Sequence, residues 1–504
     1  MNSDLNHKIQ TSSVYNIAKK TPLTFAKSVS KLYHHPVYLK REDLQDIFSF
    51  KIRGAFNKIS SLDASQLDKG LIAASAGNHA QGVALSAAKL GARAVIVMPV
   101  TTPSIKIDAV RELGAEVVLS GDTFDQAKLE ADRLVDLEGY ILIHPYDDLE
   151  VIAGQGTVGL EIINQLPEKP EAIFVPVGGG GLLAGVASIV KSLSPKTKII
   201  AVEAHDSASF NLAYRRGKPS KLDNVGLFAD GTAVKEVGQK TFEIAKDLVD
   251  SAITVSNDQI SAAIKEIFYE TRTIAEPAGA LAMAGLRQYL DQGFGIDPSA
   301  PMVAILSGAN ISFGRLNYIT ERTETGSNKE ILCIVEIPEQ PGSFREFIGI
   351  IGQHPITEFS YRYADPKTAN IFVGVGIGSQ DVHQEVIKQL SSSGKRVVDL
   401  TNSDLAKDHL RYLIGGKSVN ALPESVYKIV FPERPGALMN FLDTLGDSWN
   451  ISLFHYRNHF AAFGKVLIGF QINPDQISLL EARLDKIGYQ YQSVSDDPGF
   501  RALF

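Results

Sequence analysis

Short, continuous runs of apolar residues that alternate with helical patterns constrain the fold of this chain more than any other feature. They lie between about Leu71 and Ser307 and are rich in valine and isoleucine, as in Ala94-Val95-Ile96-Val97-Met98 and Met302-Val303-Ala304-Ile305-Leu306. A strand that is apolar at every position is buried on both faces, as in a parallel sheet covered by helices. The N-terminal part of the chain therefore predicts an α/β fold.

The chain repeats itself after the polar stretch Glu321 to Lys329. Ile337-Pro338-Glu339-Gln340-Pro341-Gly342 returns as Phe431-Pro432-Glu433-Arg434-Pro435-Gly436, at an offset of 94 residues. Ile356-Thr357-Glu358-Phe359-Ser360-Tyr361-Arg362 returns as Ile451-Ser452-Leu453-Phe454-His455-Tyr456-Arg457, at an offset of 95. Each copy contains a strand, a Pro-Gly turn that opens a helix, and further strands, which is typical of a small ferredoxin-like α+β sandwich.

Composition limits the classes of partner. The chain has 504 residues with a net charge of -7, and no run combines Lys and Arg with aromatic residues. We therefore expect small-molecule partners or further copies of the chain, with no nucleic acid and no membrane. The one cysteine, Cys333, excludes an intrachain disulfide and a cysteine-based metal site, and its apolar neighbours predict that it is buried. Because no signal peptide or membrane-spanning run is found, we expect a cytoplasmic protein. We also expect no bound metal.

Lys51 is the first candidate for chemistry. It lies in Ser49-Phe50-Lys51-Ile52-Arg53-Gly54-Ala55, shortly after Leu39-Lys40-Arg41-Glu42-Asp43. A lone lysine is more often a solvated surface residue. The flanking residues Phe50 and Ile52 are apolar, however, and partial burial would lower the pKa of the Lys51 amine and make it nucleophilic.

A second block of small and polar residues follows a predicted strand. Ser75-Ala76-Gly77-Asn78-His79-Ala80-Gln81-Gly82 opens a helix that is predicted to end near Leu90. Free backbone N–H groups at this point can bind an anion such as a substrate carboxylate. An ordinary strand-to-helix turn with an Asn cap is the alternative, and the pattern alone favours neither. We interpret His79 as a structural hydrogen-bonding residue.

Four consecutive glycines form a third block. Gly178-Gly179-Gly180-Gly181-Leu182 lies between the strand that ends at Val177 and a predicted helix. Glycines allow close backbone approach, so that consecutive N–H groups can surround a phosphate. A dinucleotide-binding loop is the competing interpretation, but the spacing is not Gly-x-Gly-x-x-Gly and Glu203 is a weak candidate for a ribose ligand.

With a fourth block, Leu306-Ser307-Gly308-Ala309-Asn310, the chain from about residue 20 to 320 resembles the tryptophan-synthase-like (fold type II) pyridoxal-phosphate enzymes. The resemblance implies that Lys51 forms the Schiff base with pyridoxal 5′-phosphate. It implies that Asn78 hydrogen-bonds the cofactor's phenolic oxygen and that Ser307 meets its pyridine nitrogen. It assigns the cofactor phosphate to Gly178, Gly179, Gly180, Gly181 and Leu182, and the substrate carboxylate to Ser75, Ala76, Gly77 and Asn78.

Two of these residues narrow the reaction that the resemblance implies. A neutral hydroxyl at Ser307 cannot keep the pyridine nitrogen protonated, and the weaker electron sink favours prompt β-elimination. Ala76 stands where related serine racemases carry a second serine, and it cannot transfer a proton. The chain thus resembles the biosynthetic threonine dehydratases (threonine ammonia-lyases), which implies conversion of L-threonine to 2-oxobutanoate and ammonia with Lys51 as the base.

The C-terminal repeat resembles the paired ACT-like regulatory domains of that family. This implies an allosteric enzyme of isoleucine biosynthesis that isoleucine inhibits, with valine as antagonist, and it suggests a homotetramer. An assembly role alone is the alternative for this region. Phe460, in Asn458-His459-Phe460-Ala461-Ala462-Phe463-Gly464, departs from the glycine that relatives often carry, which leaves the identity and strength of the effector open.

The sequence thus predicts a catalytic domain over residues 1–325 and ACT-like domains over residues 330–405 and 425–504, with a linker around Gly415 to Glu424. Three other functions remain open. The first is a serine or hydroxyaspartate dehydratase, which differs in substrate turnover. The second is a non-catalytic amino-acid sensor, which the four blocks disfavour. The third is a nicotinamide-dependent oxidoreductase, for which the chain lacks a convincing fingerprint.

Overall fold

The computed structural model describes residues 2–293, 299–327, 329–340, 343–352, 354–360, 367–377, 380–413, 423–432, 437–445, 448–457 and 463–503. The chain divides into two compact units, Met1–Phe313 and Gly314–Phe504. No helix in these described ranges is long and apolar enough to cross a membrane.

The first unit alternates strands and helices. Its strands are β1 Leu23–Phe25, β2 Val37–Arg41, β3 Leu71–Ala74, β4 Ala94–Met98, β5 Glu116–Leu119, β6 Ile141–Leu142, β7 Ala172–Pro176, β8 Lys198–Ala204, β9 Ser251–Val255 and β10 Met302–Leu306. Its helices are α1 Asn2–Gln10, α2 Lys27–Tyr33, α3 Lys51–Ser60, α4 Ala64–Asp68, α5 Asn78–Leu90, α6 Ser104–Glu112, α7 Phe124–Glu138, α8 Leu149–Gln165, α9 Gly181–Leu193, α10 Ser209–Arg216, α11 Gln239–Ala245, α12 Asn257–Thr271 and α13 Pro277–Asp291.

These strands form two sheets. The larger has the order β1-β2-β10-β7-β8-β9 and is parallel except for β1, and the smaller has the order β5-β4-β3-β6 and is wholly parallel. The side chains of β3 and β4 are buried on both faces: Leu71 and Ile96 pack towards α3, α5 and α6, whereas Ile72 and Val95 pack towards α7. This double burial explains the continuous apolar runs.

The second unit contains the two repeats. Its strands are β11 Glu330–Pro338, β12 Ile356–Ser360, β13 Thr368–Gly376, β14 Val397–Asp399, β15 Glu424–Pro432, β16 Asn450–Arg457, β17 Phe463–Gln471 and β18 Tyr491–Ser493. Its helices are α14 Arg315–Gly326, α15 Ser343–Ile351, α16 Gln380–Ser392, α17 Asp404–Asp408, α18 Ala437–Leu445, α19 Ile477–Ile487 and α20 Pro498–Leu503.

The repeats have the same topology. Their antiparallel sheets have the orders β12-β13-β11-β14 and β16-β17-β15-β18, and each sheet is covered on one face by two helices of its own repeat. The other faces of the two sheets meet in a shared apolar core, to which Leu332, Phe372, Val426, Leu467 and Phe500 belong. The fold class predicted from the sequence, an α/β half followed by two ferredoxin-like α+β repeats, is confirmed.

Some features predicted from the sequence lie outside the described residues. These are the Pro341-Gly342 and Pro435-Gly436 turns, Phe460, and the linker around Gly415 to Glu424 up to residue 422. Cys333 is described. It is fully buried in β11, and burial raises the pKa of its thiol to about 12, so that the thiolate needed for reactivity is not formed near neutral pH.

Candidate active site

The four sequence blocks come together from both sheets of the first unit. The glycine run and Ser307 follow β7 and β10 of the larger sheet, Asn78 begins α5 after β3 of the smaller sheet, and Lys51 begins α3. The carboxyl ends of parallel strands meet at one edge of a sheet, where ligands of open α/β folds bind. One cavity is accordingly lined by Lys51, Asn78, Ser307 and the loop Gly178–Leu182.

Lys51 begins α3, and its position is fixed by the end of β10. Phe50 donates its backbone N–H to Ser307 O at 3.2 Å, and Ala309 donates to Phe48 O at 2.9 Å. The Lys51 ammonium donates to Pro145 O at 2.9 Å. Burial lowers the pKa of this amine to about 8, although the charge of Glu276 opposes the shift. The neutral, nucleophilic amine is therefore accessible at near-neutral pH.

This pKa predicts how the apoenzyme takes up an aldehyde cofactor. Because only the neutral amine attacks the aldehyde, we expect the rate of incorporation to rise with pH up to about 8 and then to level off. A solvated lysine, with a pKa of about 10.4, would give a rate that still rises well above pH 9. Absorbance after mixing apoenzyme with pyridoxal 5′-phosphate over this range measures the profile. A steady increase through pH 9 would contradict the prediction.

The Asn78 side chain is held on both sides. Its amide donates to Glu276 Oε1 at 2.6 Å and its Oδ1 accepts from Asn310 Nδ2 at 2.6 Å. Asn310 also donates to Ile47 O at 2.7 Å. Asn78 is the first residue of α5, whose N-cap is Gly77, so that the alternative of an Asn cap does not hold. The network orients the Asn78 amide within the cavity.

The glycine loop leaves space that no other residue would leave. A Cβ atom on Gly179 would lie 2.2 Å from the Tyr146 ring, and one on Gly178 would lie 2.9 Å from Thr232 Cα. Gly180 has a φ of 92°, in the left-handed region that favours glycine. The loop leads into α9, whose first N–H groups have no partner within the helix. This arrangement fits a phosphate.

Ser307 lines the cavity, whereas the Ser75–Gly77 turn does not. Ser307 is buried and lines the cavity, and its hydroxyl is 3.4 Å from Ala278 O. Ser75, Ala76 and Gly77 form the turn between β3 and α5 and do not line the cavity, whereas Asn78, the first residue of α5, does. The Ser75 hydroxyl accepts the N–H of Gly77 at 3.3 Å.

His79 lies beside this site as a neutral group. Its Nε2 is 2.8 Å from Ile143 O, so the ring donates to a backbone carbonyl. Burial, and then the charge of Lys51, lower the pKa of His79 to about 3. The contact agrees with the structural interpretation made from the sequence.

Several other residues line the cavity although they belong to none of the four sequence blocks. They are Pro145 and Tyr146 after the two-residue strand β6, Gln155 in α8, and Gly231 and Thr232 in the 3₁₀ helix Asp230–Thr232. A two-residue strand is too short to give an apolar run. The sequence therefore does not predict that the segment His144–Asp148 follows a strand. Glu276 also lines the cavity and accepts a hydrogen bond from Asn78.

A buried ionic network supports the start of α3. Arg53 Nε donates to Glu42 Oε2 at 2.8 Å and Arg53 Nη1 donates to Glu161 Oε1 at 2.6 Å. Lys40 also donates to Glu161, at 2.6 Å, and none of the four side chains is more than slightly exposed. The network joins β2, α3 and α8, and its member in α3, Arg53, lies two residues after Lys51.

Fold and site together define a pyridoxal-phosphate-dependent enzyme. Pyridoxal 5′-phosphate needs an amine for its aldehyde and a cradle for its phosphate, and Lys51 and the glycine loop supply these in one cavity. A family model described as "Pyridoxal-phosphate dependent enzyme" matches residues 14–308. A second, "C-terminal regulatory domain of Threonine dehydratase", matches residues 321–410 and 415–504.

Comparison with known proteins shows to which family of pyridoxal-phosphate-dependent enzymes the chain belongs. The L-threonine dehydratase biosynthetic IlvA of Pasteurella multocida is 50% identical over 98% of this chain and 96% of its own length. The chloroplastic biosynthetic threonine dehydratase of Arabidopsis thaliana is 49% identical over 98% of this chain and 83% of its own. The structure of the processed threonine deaminase isoform 2 of Solanum lycopersicum aligns with a TM-score of 0.62 and 49% identity, over 64% of this chain and 93% of that chain. The chain belongs to the biosynthetic threonine dehydratase family.

Proposed function

We propose that the cavity at Lys51 converts L-threonine to 2-oxobutanoate and ammonia, the committed step towards isoleucine. The observation that carries the proposal is a lysine of lowered pKa in the same cavity as a glycine cradle, in a chain of this family. The β-hydroxyl and the α-proton leave as water, and hydrolysis then consumes one water. The net product beside the keto acid is therefore one ammonia.

Each residue has a role that its environment supports. Bound pyridoxal 5′-phosphate withdraws electrons from the substrate Cα and so makes its proton acidic. The amine of Lys51 removes that proton, which it does as the neutral base that burial favours. Asn78, fixed by Glu276 and Asn310, orients the cofactor ring, and the glycine loop holds the phosphate. Backbone N–H groups of the Ser75–Gly77 turn, with Asn78, hold the substrate carboxylate.

Turnover of related substrates tests this assignment. We expect kcat/KM for threonine to exceed that for serine by about 10-fold to 100-fold, because a small apolar pocket for the extra methyl is worth about 1–3 kcal/mol. Keto-acid formation from threonine, serine and 3-hydroxyaspartate is the measurement. Preference for serine or hydroxyaspartate would favour the alternative dehydratases. A purified protein that binds no pyridoxal 5′-phosphate and forms no keto acid would favour the amino-acid sensor.

The second unit is proposed as the regulatory part. We infer inhibition by isoleucine and antagonism by valine, since a regulatory-domain model of this family matches both repeats. An effector acts only through a difference in affinity between two states of the enzyme. We also propose a homotetramer and a cytoplasmic location. The sequence predicted a catalytic domain of residues 1–325 and ACT-like domains of residues 330–405 and 425–504; since residues 314–325 belong to the second compact unit, we propose that the catalytic domain ends at Phe313.

A further inference from the structure

One wall of the cavity at Lys51 comes from a long irregular stretch of the chain. The wall is the 3₁₀ helix Asp230–Thr232, whose residues Gly231 and Thr232 line the cavity. Residues 217–238, all of which the structure describes, contain no other helix or strand. The position of this wall is therefore set by its contacts with neighbouring parts of the first unit.

The wall packs on the side of the cavity that holds the glycine loop. A Cβ atom on Gly178 would lie 2.9 Å from Thr232 Cα, so that backbone meets backbone here. A Cβ atom on Gly231 would lie 3.0 Å from the Cβ of Ala278, a residue of α13. The wall and the glycine loop thus form one side of the site, together with α13.

An ion pair joins this wall to the smaller sheet. Lys106 donates to Asp230 Oδ2 at 2.6 Å, although the two residues are 124 positions apart. Lys106 lies in α6, whose Ile107 and Val110 are buried in one core with β3 and β4. The side chains of Lys106 and Asp230 are only 21% and 33% exposed. Because the pair is partly shielded from water and salt, its attraction is stronger than that of a fully exposed pair.

The smaller sheet carries the other side of the substrate site. The Ser75–Gly77 turn, which we propose as the site of the substrate carboxylate, follows β3, and α6 packs on the same core as β3. A threonine held at this turn must also reach the cofactor, whose phosphate is held by the glycine loop on the opposite side. The separation of the two sides therefore matters to the substrate, and the pair of Lys106 with Asp230 crosses between them.

We propose that Lys106 is a positioning residue for the threonine reaction. Through Asp230 it holds the smaller sheet, with the substrate turn, against the wall of the cavity, and Lys106 itself does not line the cavity. Without the pair, a smaller fraction of the molecules has the turn at the productive distance, and the apparent affinity for the substrate falls by that fraction. The inference rests on the proposed function, because it assigns a residue to substrate binding at that site.

Lys106→Met tests this role, because it keeps the apolar stem and removes the charge. We expect the KM for threonine to rise by about 10-fold with kcat nearly unchanged, since bound substrate itself joins the turn to the cofactor. The visible absorbance of the bound cofactor should stay the same. Lys106→Arg keeps the charge and should restore most of the affinity. A merely structural role would instead lower kcat and cofactor content together.

A second ion pair between the same parts of the chain provides the matched control. Lys235, three residues after the wall, binds Asp125 of α7 at 3.1 Å, and these side chains are 39% and 57% exposed. Lys235→Met makes the same change of charge and should leave KM unchanged, because exposed pairs contribute little. An equal rise of KM in Lys106→Met and Lys235→Met would assign the effect to net charge and overturn the proposal.

Asp230→Asn keeps the test decisive if Lys106→Met does not fold. It removes the same interaction from the other side and should raise KM to a similar extent. The double variant should show no further increase, because two changes that remove one interaction are not additive. Additive effects, or a wild-type KM in either folded variant, would contradict the role of the pair.

Binding of 2-aminobutanoate separates this proposal from the proposed function. This amino acid has no β-hydroxyl to eliminate, so that titration of the holoenzyme, followed by the absorbance of the cofactor, gives a Kd without turnover. We expect this Kd to rise by about 10-fold in Lys106→Met, and an unchanged Kd would overturn the proposal. Absence of threonine turnover by the wild type would refute the proposed function, and the Kd values would still decide the role of Lys106.

Discussion

Replacement of Lys51 by alanine is expected to lower the rate of 2-oxobutanoate formation by about 10³-fold or more, the largest effect on activity that we predict. The variant loses both the amine that bonds to the cofactor and the base that removes the α-proton. We expect the visible absorbance of the lysine-bound cofactor to disappear as well. A keto-acid assay and an absorbance spectrum of the same preparation measure both effects.

Two controls separate this effect from a loss of structure. Lys69→Ala removes an exposed lysine of the same unit and should retain full activity and colour. Added small primary amines should restore part of the activity of Lys51→Ala, because they can supply the missing base within a folded cavity. A Lys51→Ala enzyme with activity near that of the wild type would remove Lys51 from the mechanism.

The largest expected effect on stability belongs to Arg53. Arg53→Met leaves Glu42 and Glu161 buried with one cation fewer, and removal of one partner of a buried ion pair costs about 3–5 kcal/mol. Burial raises the pKa of Glu42, but Arg53, together with Lys40 and Thr21, more than offsets this, and the pKa lies below its usual value. The urea midpoint at neutral pH measures the loss.

The pH dependence of this loss has a definite sign. In the wild type the lowered pKa of Glu42 stabilises the fold above the pKa of the unfolded chain, and this stabilisation is lost as the pH falls. In Arg53→Met, burial raises the pKa, so that protonation relieves the buried charge in acid. The difference between the two proteins should therefore shrink at low pH.

An exposed pair in the same unit is the matched control. Arg93 binds Glu116 at 2.9 Å with both side chains more than half exposed, and Arg93→Met should move the urea midpoint little. An equal shift for Arg53→Met and Arg93→Met would contradict the argument from burial.

The parts of the fold that could be predicted from sequence are those with a local pattern. The β4 run Ala94–Met98 is apolar at every position because both its faces are buried, and a short window contains that information. The C-terminal repeats were predicted because each copy carries the same order of strands and turns. The two-residue strand β6 gave no such signal.

The site depends on contacts between residues that are far apart in the sequence, and no local sequence pattern predicts such contacts. Asn78 and Glu276 are 198 positions apart, and Arg53 and Glu161 are 108 apart. Three of the sequence blocks could be placed after predicted strands, but that β3 and the strands β7 and β10 belong to two different sheets could not be predicted. Which side chain of the Ser75–Asn78 turn lines the cavity depends on the backbone path, and only Asn78 does so.

The unreactive thiol of Cys333 makes this chain convenient for spectroscopic labelling. Because the native sequence has only this cysteine, and it is fully buried with a raised pKa, a maleimide or spin probe will react at an introduced surface cysteine instead. No native residue has to be removed first. One label in each unit would then report, by distance measurement with and without isoleucine, whether the effector changes the arrangement of the two units.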